Sequence, residues 1–118
     1  MQLSSSRKGR MLAGIIKRED IMPTFILALS WTDQGIRSVK DSPKRLGAGK
    51  ELAKKMGVEL KQTYLTSGDQ DLLVILESAN GDNVAKFALA LSSLGNVRTR
   101  TMRAWSESEY SKLLSELP

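Results

Sequence analysis

Tyr64-Leu-Thr-Ser-Gly-Asp-Gln-Asp-Leu-Leu-Val-Ile-Leu-Glu77 carries two strand signals joined through a glycine turn. Before the turn, Val58 to Thr66 alternates apolar and polar residues, the pattern of a strand with one wet face. After it, Leu72 to Glu77 is apolar on both parities, as a strand covered on both faces requires. The stretch therefore predicts an edge strand feeding a central one through Ser67-Gly68-Asp69-Gln70.

The same contrast recurs outward along the chain. Thr24 to Trp31 (Thr-Phe-Ile-Leu-Ala-Leu-Ser-Trp) is apolar on both parities and predicts a second central strand. Val97 to Ala104 (Val-Arg-Thr-Arg-Thr-Met-Arg-Ala) alternates and predicts a second edge. Thr32-Asp33-Gln34-Gly35 reads as a capped turn, with Asp33 as the cap, before a short helical stretch. A longer helix then begins with Ser42 as cap and Pro43 at its first position, where the missing N–H costs nothing. Leu46, Gly49, Leu52, Ala53 and Met56 form its inner stripe, and Gly57 is placed to stop it in the left-handed region. Asn80-Gly81-Asp82-Asn83 opens another helix, with Val84, Phe87, Ala88, Leu91 and Leu94 on one side and Gly95-Asn96 at its end. A capping box, Ser106-Glu-Ser-Glu109, starts a final helix with Tyr110, Leu113, Leu114 and Leu117 on its inner face.

The resulting order, βαββαβ plus a carboxy-terminal helix, predicts an α+β, ferredoxin-like domain whose four-stranded antiparallel sheet has its first and third strands in the middle. Two helices cover only one face of such a sheet. Leu73, Ile75 and about half of the first strand then lie on the other face, an apolar surface that implies a partner. A homodimer with two sheets face to face, braced by the final helix, is expected. In the alternative, that helix folds over the open face within one chain.

Inventory excludes much chemistry. The 118 residues contain no cysteine and no histidine, which removes disulfides, thiolate nucleophiles, Ser-His triads and the usual transition-metal ligands. No cofactor or metal is expected. Of the net charge of +5, Met1 to Ile21 supplies +3, leaving Met22 to Pro118 close to balance, so nucleic acid is not an expected partner. The apolar run Met11-Leu-Ala-Gly-Ile-Ile16 is too short for a secretory core or a membrane span, which makes the cytoplasm the expected location. Residues 1–21 are expected to be a disordered extension that is not native, with Met22 as the start of a single domain over 22–118.

With that strand order, one rim of the sheet gathers Trp31, Tyr64, Thr66, Gly68, Asp71 and Arg98. Aromatics, hydroxyls, a carboxylate and a guanidinium on one rim make a candidate small-ligand site. The same residues have structural readings as turn and cap chemistry.

Several segments resemble the GYD domain family, small bacterial proteins related in shape to the dimeric α/β-barrel proteins. They are Met22-Pro-Thr-Phe, Trp31-Thr-Asp-Gln-Gly-Ile-Arg37, Lys40-Asp-Ser-Pro-Lys-Arg-Leu46, Tyr64-Leu-Thr, Phe87-Ala-Leu-Ala-Leu-Ser-Ser-Leu-Gly-Asn-Val-Arg98 and Arg103-Ala. The resemblance spans Met22 to Pro118 and implies the dimeric barrel form of the ferredoxin-like fold. In the family's namesake motif this chain has Gly68-Asp69-Gln70-Asp71, with Gln70 in place of the tyrosine. The expected function is a homodimeric small-molecule-binding or regulatory module. One alternative is a cofactor-independent oxygenase or isomerase using Tyr64 or Asp71 as acid or base. Another is a purely structural or interaction protein.

Overall fold

The computed structural model describes residues 22–118, and the expectations for Met1 to Ile21 lie outside the described residues. Strand β1 (Thr24–Trp31) leads into a short helix α1 (Asp33–Arg37), a 3-10 turn (Val39–Asp41) and helix α2 (Ser42–Lys55). Strands β2 (Glu59–Leu65) and β3 (Leu72–Glu77) form the hairpin, followed by α3 (Gly81–Ser93), β4 (Val97–Ala104) and α4 (Glu107–Ser115). The sheet runs β2-β3-β1-β4 with every pairing antiparallel, so the two doubly apolar strands are central.

Register assigns each side chain a face. Leu27 pairs with Val74, Leu29 with Leu72 and Phe25 with Leu76, and these residues point toward the helices. There they meet Ala53, Val84, Phe87 and Ala88 in one core, in which Leu27, Leu76, Val84 and Phe87 are fully buried. At roughly 1.5–3 kcal/mol for each large apolar side chain removed from water, this cluster is the main source of stability. The opposite face consists of transverse rows. Gln62, Ile75, Ile26 and Met102 lie side by side across the four strands, with Tyr64, Leu73, Ala28 and Arg100 in the next row.

Four local features depart from the sequence reading. Thr32, not Asp33, caps α1: its hydroxyl accepts from the Gly35 N–H at 3.1 Å and donates to the Gly95 carbonyl at 2.5 Å. Ser42 is already helical, because the 3-10 turn runs straight into α2 and the Ser42 N–H donates to the Val39 carbonyl. In β2 the register slips between Leu60 and Gln62, so Lys61 is an extra residue. The bulge reverses parity after it and turns Thr63 and Leu65 to the helix side. Finally, α4 does not cover the open face. Tyr110, Leu113, Leu114 and Leu117 are all exposed, so that helix fails to bury its apolar side within the chain, and the single-chain alternative is set aside.

The capping box of α4 forms as expected, with Glu109 N–H on the Ser106 hydroxyl and the Glu109 carboxylate on the Ser106 N–H. Arg103 anchors this end by stacking 4.6 Å from the Trp105 ring centroid and pairing with Glu109 at 3.9 Å. Glycines 57 and 95 end α2 and α3 with φ of 76° and 88°, where a side chain would strain the backbone.

Candidate functional site

The hairpin turn is organised by Asp71. Its N–H continues the ladder by donating to the Leu29 carbonyl at 2.9 Å, and its carboxylate accepts from the Trp31 N–H at 2.9 Å. Thr66 closes the loop from the other side, its N–H on the Asp71 carbonyl and its hydroxyl on the Gln70 carbonyl. Gln70 reaches over β1, where its side-chain oxygen accepts from the Ser30 hydroxyl at 3.1 Å. Gly68 is exposed at the tip, with nothing within 4 Å of an added Cβ.

All six rim residues thus reach one end of the sheet, but on different sides of it. Trp31 shares the helix face with Leu29 and Leu27. Tyr64 and Arg98 lie on the open face, separated by the width of the two central strands. The Tyr64 hydroxyl donates to Gln62 on its own strand at 2.8 Å. Asp71 and Thr66 are engaged by backbone groups. Replacing Asp71 with alanine is expected to cost about 1.5–3 kcal/mol, since it strands the Trp31 N–H and removes a charged acceptor, while asparagine retains most of that stability. Urea unfolding of the two variants checks this; equal stability of Asp71→Ala and the parent would contradict it.

Two concavities lie at this end. The first is a cleft of about 340 Å³ between the sheet and helices α2 and α3. Leu27, Val74 and Phe87 form its floor, and Trp31, Leu46 and Leu91 are among its walls. Ser42, Arg45 and Asn96 are the polar side chains among its described lining residues, beside the indole of Trp31. The second is an open polar groove of about 520 Å³ along β4, lined by Ser30, Gln70, Arg98 and Arg100 among others. Trp31 therefore belongs to the cleft and Arg98 to the groove. Sequence reading missed the cleft; its one signal was the pair of small residues, Ala48 and Gly49, on the inner part of α2. No carboxylate among the described residues lines either concavity. Among the described residues, no group of three or more acidic side chains could hold a metal ion, and no helix is long and apolar enough to cross a membrane.

The architecture is that of a ferredoxin-like α+β domain in which the described helices α2 and α3 cover one face of the sheet. Residues 25–114 match the GYD domain, and the chain belongs to that family. It is 33% identical to the glutamine synthetase and cystathionine beta-lyase binding protein of Thermus thermophilus over 84 residues, covering 70% of this chain and 88% of that protein. The fold is also similar to two regulatory proteins of Mycobacterium tuberculosis. A feast or famine regulatory protein complexed with L-methionine aligns with a TM-score of 0.57 and 18% identity, covering 80% of this chain and 58% of its own. The leucine response regulatory protein aligns with a TM-score of 0.56 and 17% identity, covering 83% and 62%. The chain spans about three fifths of the length of these two regulators.

Proposed function

We propose that this chain is a homodimeric regulatory module that binds metabolic enzymes and performs no chemistry itself. The observation that carries the reading is the open sheet face. Ile26, Leu73 and Ile75 lie there on the two central strands, Ala28 beside them and Met102 on the edge, and none of them belongs to the core that the described helices cover. A second copy presents the same apolar strip, so a two-fold pairing of sheets about 10 Å apart can cover both at once. Helix α4, which follows edge strand β4, then has a use for its exposed apolar side in bracing that pairing.

The Thermus relative supports enzymes as the partners, because its name records binding to glutamine synthetase and cystathionine beta-lyase and the likeness covers most of both chains. Asp71, held by the Trp31 N–H and absent from the described lining of both concavities, is not placed as an acid or base there, which supports a binding role over an oxygenase or isomerase role. The reading places the protein in the cytoplasm.

Biolayer interferometry against purified glutamine synthetase and cystathionine beta-lyase from the source organism tests it. Saturable binding to at least one of the two enzymes is expected. Failure of both to bind at micromolar concentrations would overturn the assignment of partners.

A further inference from the structure

We propose that the cleft between the sheet and helices α2 and α3 is a binding site for a small carboxylate with an apolar body, its acid group held by Arg45. The inference is independent of the sheet pairing, because the cleft lies on the helix side of the sheet.

The space itself is the first observation. Helices α2 and α3 approach where Gly49 meets Leu91; a Cβ added to Gly49 would lie 3.9 Å from a Leu91 methyl. The remaining gap between the helices and the sheet is about 340 Å³. A closed apolar cavity of about 150 Å³ is enough to take up benzene, so this one has room for roughly two rings or an equivalent aliphatic chain. Beneath it lie the buried core residues Leu27, Val74 and Phe87, and the part-exposed Trp31, Leu46 and Leu91 are the apolar surface from which a ligand's carbon would exclude water.

Charge at the mouth is the second. Arg45 lies in the first turn of α2 and lines the cleft together with Ser42 and Asn96. Its guanidinium is pinned by neutral acceptors: Nη1 donates to the carbonyl and hydroxyl of Ser38 at 3.0 and 3.1 Å, and Nη2 to the Gly35 carbonyl at 3.2 Å. It forms no ion pair with any described residue. A half-buried cation held in place by carbonyls, with N–H donors to spare and the positive end of α2 adjacent, favours an anion at the mouth. The planar guanidinium matches a carboxylate better than a neutral hydroxyl. An apolar interior closed by a fixed cation therefore selects an amphipathic acid over an alcohol of the same length.

Titration of the full chain with decanoate and with 1-decanol, followed by amide and methyl NMR, tests the proposal. Both probes are expected to saturate and to shift the resonances of Trp31, Leu46 and Leu91, with decanoate the tighter by about ten-fold, the size of one charge-assisted contact. Arg45→Gln is expected to reduce that preference to near unity while leaving decanol binding in place. Leu46→Trp, which fills the cleft, is expected to abolish binding of both probes even if Arg45→Gln does not fold. Shifts confined to the open sheet face or α4, equal affinity for acid and alcohol in the parent protein, or decanoate binding that survives Leu46→Trp would each overturn it.

Discussion

An aspartate in place of Ile75 is expected to leave a folded monomer. Ile75 sits in the middle of the open face, beside Ile26 on β1 and Gln62 on β2, and its side chain points away from the core. In the proposed dimer, a charge at that position is taken out of water with no partner. The cost is about 3–5 kcal/mol, or roughly two to four decades in the dimer dissociation constant. The core on the other side of the sheet is untouched, so the circular dichroism spectrum should match that of the parent protein while the mass halves. Ile75→Val, which keeps the apolar surface, should remain dimeric. Should Ile75→Asp sediment as a dimer, the pairing would not use this face.

Alanine at Gly35 is expected to be the most damaging small substitution in the domain. Gly35 lies in α1 with its backbone against that of Asn96, and an added Cβ would stand 2.0 Å from the Asn96 carbonyl oxygen and 2.9 Å from its carbon. Backbone cannot yield as a side-chain tip can, so α1 must lift away from the α3–β4 junction. That movement breaks the Thr32 N–H bond to the Asn96 carbonyl (3.1 Å) and the Thr32 bond to Gly95, and it displaces a carbonyl on which Arg45 rests. The expected loss is about 2–3 kcal/mol, roughly 10–20 °C in Tm for a domain of this size. Gly47 provides the internal contrast. It occupies the exposed side of α2 with nothing within 4 Å of an added Cβ, so alanine there should raise stability by about 0.5–1 kcal/mol. Thermal unfolding of the pair tests the geometry directly, and a Gly35→Ala protein as stable as the parent would contradict the close approach.

The sheet order was legible in the sequence because burial on both faces leaves a distinct mark. Leu72 to Leu76 and Phe25 to Leu29 are apolar without interruption, whereas Val97 to Ala104 alternates, and those differences alone separate centre from edge. Local chemistry was legible at the α4 capping box and at Gly57, where one residue type meets one geometric need. It failed at Lys61, since an extra residue in an exposed edge strand changes no composition and still reverses every side chain after it. Asp33 is by type the better cap, and what favours Thr32 in the folded chain, its bond to the Gly95 carbonyl 63 residues away, leaves no mark on local sequence.

The candidate site was less legible for a different reason. Strand order brings Trp31, Tyr64 and Arg98 to one end, but pairing puts Trp31 opposite Val97 and Ser30 opposite Arg98, so the tryptophan and the arginine face opposite sides of the sheet. Asp71 carries the family motif's carboxylate, and in the folded chain it extends the strand ladder. The cleft left no signal beyond the small residues Ala48 and Gly49, because it is a shortfall of packing between helices, and no periodicity records a gap. Arg45 is one of several cations in α2 by sequence, and only its three bonds to Ser38 and Gly35 distinguish it in the folded chain.

The pairing of open faces is the claim on which the account turns, and sedimentation equilibrium of the intact chain at micromolar concentration tests it most directly. The account predicts a single species of twice the 13.0 kDa chain mass. A species at the mass of one chain would contradict it.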